Sequence, residues 1–119
     1  MAEIISNSII GPGVATAVVA ASYTPMVTVG VASYILIGSV IAVNDAISSD
    51  TLELWVVPSG ESTTAPVGEY QVMRRRVVAD RSQQCLDAPI IAKSGDTIVA
   101  KSSSASGMTV RLQYQEFNN

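Results

Sequence analysis

No charged side chain interrupts the chain between Glu3 and Asp45. Whatever this segment folds into must therefore hide its apolar groups without solvated charges along its length. A helix that crosses a bilayer would do so, and so would strands whose apolar faces pack together. Met26 to Val43 is 18 residues long, enough to span hydrocarbon as a helix. It is also rich in β-branched residues, contains Gly30 and Gly38, follows Pro25 and has no basic flank to set an orientation. A secretory leader fits worse, because Met1-Ala-Glu-Ile opens acidic where a basic start is expected. Strands are the expectation, with no membrane partner.

The strand reading holds along the rest of the chain. Val14 to Ala21, Met26 to Val29, Ser33 to Val43, Thr51 to Val57, Tyr70 to Val78, the short pieces Gln83 to Leu86 and Ala88 to Ile91, Thr97 to Lys101 and a last strand from Met108 are bounded by Gly, Pro, Ser, Asn and Asp. Lys93-Ser94-Gly95-Asp96 is a hairpin turn with glycine where a positive φ is cheap. In Ser33 to Val43, strict alternation puts Tyr34, Leu36, Gly38, Val40 and Ala42 on one face and Ile35, Ile37, Ser39, Ile41 and Val43 on the other. Both faces are largely apolar, so this strand is expected to be covered on both sides. The last strand alternates most strictly, Met108, Val110, Leu112 and Tyr114 against Thr109, Arg111, Gln113 and Gln115.

Seven to eight short strands with no helical stripe predict an all-β fold, an antiparallel β-sandwich or jelly roll. Its 119 residues make one domain, read as residues 14–119 behind an extended N-terminal arm over residues 1–13. The isoleucines of that arm, Ile4, Ile5, Ile9 and Ile10, have too little chain around them to be hidden locally, and they are expected to dock on another surface. A second interface candidate is Arg74-Arg75-Arg76. On a strand edge these charges block stray pairing, and on a partner they could meet an acidic patch. The polar loops Ser59 to Glu69 and Ser102 to Gly107 are expected as outward or intersubunit tips.

Chemistry is scarce. There is no His and one Cys, Cys85, which removes the commonest base and metal ligand and any internal disulfide. Asp80, Asp87 and Asp96 sit in or beside turns, where aspartate bonds to local backbone. Gly11-Pro-Gly13 lacks the lysine and helix of a phosphate loop, and no acidic spacing fits a calcium loop. Trp55, Tyr34, Tyr70 and Tyr114 would be the only support for a sugar-binding module, and core packing accounts for them equally. The expectation is no enzyme, no catalytic residue, no cofactor, no metal and no small-molecule substrate. A net charge of -3 with a single short basic cluster leaves no footprint for nucleic acid.

Val27-Thr-Val-Gly30 through Ile41-Ala-Val-Asn44, the strand end Leu54-Trp-Val-Val-Pro-Ser-Gly60 and above all Leu86-Asp-Ala-Pro-Ile-Ile-Ala-Lys-Ser-Gly-Asp-Thr-Ile98 are similar to segments of the small β-sandwich virion proteins of tailed bacteriophages. That loosely defined group includes head decoration or cement proteins and some tail and fibre components. The chain departs from the commoner pattern in its insertion around Thr64-Ala-Pro-Val and its very apolar N-terminal stretch. The resemblance implies a non-catalytic structural subunit of the virion, assembled in the host bacterial cytoplasm. Its expected role is to stabilise the phage head by bridging neighbouring major capsid proteins, its partners being those proteins and copies of itself, expected as a trimer. Tail, baseplate or tail-fibre placement is the alternative, and a membrane-active role the more distant one. Charged residues make up only 14% of the chain and apolar ones 48%, against about 25% charged in ordinary soluble domains. Such a surface suits a chain that works through contact.

Overall fold

The computed structural model describes residues 9–79, 82–104 and 107–118, and their side chains other than those of residues 9, 10, 75 and 82–89. Eight strands run through them: β1 Ile9–Val19, β2 Thr24–Thr28, β3 Ser33–Asn44, β4 Asp50–Val57, β5 Gln71–Val78, β6 Ser82–Lys93, β7 Thr97–Ser102 and β8 Met108–Asn118. They form two antiparallel four-stranded sheets, β1-β8-β3-β6 and β2-β7-β4-β5. The chain is a β-sandwich. First strand pairs with last, second with seventh, third with sixth and fourth with fifth, as when one long antiparallel ribbon folds over on itself. That strand order is the order of a jelly roll.

The core lies between the sheets. Ile35, Ile37, Val40 and Ala42 of β3 with Val110 and Leu112 of β8 meet Leu52 and Leu54 of β4 and Ile98 and Ala100 of β7, all buried. The β3 contribution corrects the strict alternation expected from the sequence. Pairing with both neighbours shifts register between Ile37 and Ser39, so a bulge at Gly38 switches the faces. Ile35 and Ile37 then point inward together with Val40 and Ala42, rather than opposite to them. Glycine is where a strand takes such a bulge at least cost.

Strand β1 begins earlier than expected. Gly11, Pro12 and Gly13 pair with Glu116, Gln115 and Tyr114, so residues 9–13, read from the sequence as arm, belong to the first sheet. Proline is tolerated because β1 is an edge strand, where its missing N–H can face away from the ladder. Gly13 is required by its neighbour: a Cβ there would lie 2.4 Å from ring carbons of Tyr114, which occupy the space above the glycine. The pieces expected at Gln83 to Leu86 and Ala88 to Ile91 join into the single strand β6.

One end of the sandwich is tied by the β6–β7 turn. Asp96 N–H donates to Lys93 O (2.9 Å), the Asp96 carboxylate accepts from Lys93 N–H (2.8 Å), and Gly95 takes φ 86°. The opposite end is closed by two buried side chains. Asn44 Nδ2 donates to the carbonyls of Ser48 (3.0 Å), Val78 and Ala79 (both 3.2 Å), and its Oδ1 accepts from Ala46 N–H (3.1 Å). Asp50 Oδ1 accepts from Thr51 N–H (2.7 Å) and from Ser103 N–H (2.9 Å) and Oγ, while its buried Oδ2 meets no partner. Ser102, expected in an exposed tip, is instead the buried last residue of β7, its Oγ donating to Val19 O (3.1 Å).

The lopsided use of Asp50 gives a clean expectation. Asp50→Ala removes the acceptor of the Ser103 hydroxyl and the nearer of two acceptors for the Thr51 and Ser103 N–H groups, and should cost about 1–2 kcal/mol in urea unfolding. Asp50→Asn keeps an accepting oxygen at the Oδ1 position and should cost less than half as much. Equal losses would mean that the carboxylate charge, not the bonds to Oδ1, holds the loop.

Candidate interaction surface

The two outer faces of the sandwich differ. On the β2-β7-β4-β5 sheet the apolar groups at the centre of the outer face are covered by the chain itself, while Val72 and Val77 of the edge strand β5 stay 47% and 57% exposed. Trp55, Val57 and Val99 are buried, with Tyr23 and Tyr70 packed over them. Tyr23 meets Trp55 edge-on with ring centroids 5.1 Å apart, and Lys101 Nζ sits 4.9 Å from the Tyr23 centroid. Glu53 lies directly opposite Lys101 across the strands and accepts from Gln71 Nε2 (3.0 Å), whose Oε1 in turn accepts from Arg74 Nε (3.3 Å). The Tyr70 phenol is pushed above its ordinary pKa by desolvation, with Glu61 and Glu69 adding to the shift.

Nothing in the described chain covers the outer face of the β1-β8-β3-β6 sheet. Register places its residues in rows across the strands: Pro12, Gln115, Leu36 and Ile91; Val14, Gln113 and Ser39; Thr16, Arg111 and Ile41; Val18, Thr109 and Val43. At one end Tyr34 and Phe117 stack with centroids 5.0 Å apart, next to Lys93. Val18 and Ile91 are 68% and 63% exposed, and Val14 51%, values at which an apolar side chain keeps most of its contact with water. Here the expectation that β3 is covered on both sides is corrected, since Leu36 is exposed and Ile41 and Val43 only half-buried. Ser39 Oγ donates to Gln113 Oε1 (2.9 Å), which pairs off a polar group at the centre of the face. Arg111 and Lys93 are the charges among its described side chains.

No protein-family model matches the chain, and no curated protein or solved structure gives a significant match.

The residues singled out in the sequence do not form one site. Ile4 and Ile5 lie outside the described residues. The backbones of Ile9 and Ile10 open β1, at an edge of the first sheet, and their side chains are not described. Arg74 and Arg76 are exposed on β5, the edge of the other sheet, where the register against β4 slips between Met73 and Arg76. Arg75 is on the same strand, its side chain outside the described set. The arginines therefore sit on a sheet edge, where charge discourages pairing with foreign strands. The four aromatics also disperse: Trp55 and Tyr70 belong to one outer face, Tyr34 to the other, and Tyr114 packs inward against the core.

Two open recesses mark the surface. One, of about 280 Å³, is lined by Val18, Val43, Asp45, Ala46, Gly107, Met108 and Thr109. The other, of about 440 Å³, is lined by Ala21, Thr51, Glu53, Lys101, Ser102 and Ser103. Each presents a single carboxylate, where glycoside hydrolysis uses two. Among the described residues no three His, Cys, Asp or Glu side chains gather as a metal ion would need, and no helix is long and apolar enough to cross a membrane. The run Met26 to Val43 is β2, a turn and β3. The uncovered face is the feature that sequence reasoning missed. Its signal was the doubly apolar β3, but locating it required knowing which strands flank β3.

Proposed function

We propose that the chain is a non-catalytic structural subunit of a virion, a decoration or cement protein that stabilises the head of a tailed phage by bridging neighbouring major capsid proteins. The observation that carries this reading is the uncovered outer face of the β1-β8-β3-β6 sheet, with Val14, Val18, Leu36 and Ile91 exposed on it, set against an opposite face whose centre the chain covers for itself. These four stand on either side of a polar column of Gln115, Gln113, Arg111 and Thr109 on β8, the mixed make-up of a contact surface. Covering it contributes roughly 25 cal/mol per Å² before association costs, and an assembled shell gains that stabilisation by mass action at every copy. The resemblance of the β6–β7 hairpin segment to phage virion proteins supports the particle setting, and the jelly-roll strand order suits a shell component. In this reading Ile4 and Ile5, which lie outside the described residues, add a second point of attachment to the shell.

Gold-labelled antibodies against the chain, applied to particles released from cells that encode it, should decorate heads. Label on tails would assign the chain to the tail or fibre instead, and unlabelled particles would reject the virion reading. Removing residues 1–8 leaves β1 intact, so the shortened chain should unfold cooperatively as before yet lose its place on the particle.

A further inference from the structure

We infer that the outer face of the β1-β8-β3-β6 sheet packs against the same face of a second copy, giving a twofold dimer. This rests on the reading of that face as a contact surface and names its first occupant. The area is right for a pair. Four strands about 4.8 Å apart and five rows about 6.6 Å apart span on the order of 600 Å² in projection, and side-chain relief brings this close to the roughly 800 Å² that each partner gives a standard interface. Apolar and polar positions are interspersed across the face, as in an interface between separately folded copies. Val14, Val18, Leu36, Ile41 and Ile91 resemble the residues that line the core between the sheets, and two such faces stack about 10 Å apart as sheets do within a sandwich.

Charge placement permits the pairing. A dyad in the plane of the interface and parallel to the strands exchanges β8 with β3, so Arg111 of one copy would lie over Ile41 of the other, its cross-strand neighbour in the same row. A dyad perpendicular to the strands through the middle row is disfavoured, because it would set the Asp87 position, paired with Ser39 in that row, over Asp87 of the other copy. Lys93 is at the β6 edge and the end row, and neither operation brings it over its own copy or over Arg111. The parallel dyad opposes no like charges. The result is an even-numbered association, which departs from the trimer expected from the sequence.

Sedimentation equilibrium of the purified full-length chain tests the proposal, with an expected mass of twice the 12.4 kDa of one copy. Leu36→Glu and Ile41→Lys should each weaken self-association on the order of a hundredfold or more, because each places a charge in the centre of the interface and the lysine would lie beside Arg111. Val72→Lys, on exposed β5 of the other sheet, should leave it unchanged. Circular dichroism of the variants checks that they remain folded, and Ile91→Lys at the rim offers a milder version of the same test. A monomer, a trimer, or a dimer indifferent to the face variants would overturn the pairing. A monomeric chain that still labels heads would sink the dimer and leave the virion reading standing. A face-dependent dimer missing from particles would support the dimer and reject the virion reading.

Discussion

Asn44→Asp should be among the most damaging single changes in this chain, lowering stability by about 3–5 kcal/mol at neutral pH. Asn44 is fully buried, and its amide nitrogen faces three backbone carbonyls, those of Ser48, Val78 and Ala79. Aspartate replaces that donor with a second acceptor, so a buried negative charge would face three carbonyl oxygens with only Ala46 N–H in its favour. The folded state can relieve this by keeping the new acid protonated, since the neutral form regains one O–H donor. Its folded pKa then lies above the ordinary aspartate value near 4, and the unfolded chain ionises first as pH rises. The penalty is therefore full above the raised folded pKa and fades as pH falls towards the unfolded one. Denaturant midpoints measured between pH 7 and 4 should show the gap to the parent chain narrowing with acid. A gap that stays constant would mean that lost geometry, not charge, explains the damage.

Leu112→Ala should cost about 3–5 kcal/mol. Leu112 is fully buried on β8, between β1 and β3, and its side chain faces the opposite sheet across the core. Ile91→Ala and Val18→Ala remove groups of similar chemistry from the outer face of the same sheet, yet in the isolated copy they should change stability by only about 0.5 kcal/mol. Calorimetry on dilute monomer separates the two classes. If the outer-face changes cost as much as Leu112→Ala, some part of the chain covers that face.

Alternation of apolar and polar residues was enough to place the strands, because a two-residue period is visible without any knowledge of neighbours. Boundaries of β4, β5, β7 and the start of β8 fall within a residue or two of the expected ones. What alternation could not show was anything that depends on pairing. Pro12 reads as a break until β1 is known to be an edge. Gly38 reads as one more strand residue until β6 and β8 are seen to shift register beside it. The bend expected at Gly30 is turned with Ala32 at φ 58°, a left-handed backbone that composition would have assigned to the glycine. Asn44 and Asp50 were legible as turn formers, but their burial and their long-range partners were not. The same limit applies to the candidate interaction surface: Val14, Ile41 and Ile91 are far apart in sequence and share a face only through the strand order 1-8-3-6.

That strand order also dictates when the molecule can assemble itself. β8 is the last strand made, yet it lies inside the first sheet, between β1 and β3. A chain emerging from the ribosome holds β1 and β3 with their shared partner still missing, and the loop to be closed is nearly the whole sequence. Folding should therefore be slow for a domain this small, since the first sheet closes only once its eighth strand has been made. During that wait the segments most at risk of sticking together are β1 and β3, whose sequences carry no charge to keep them apart.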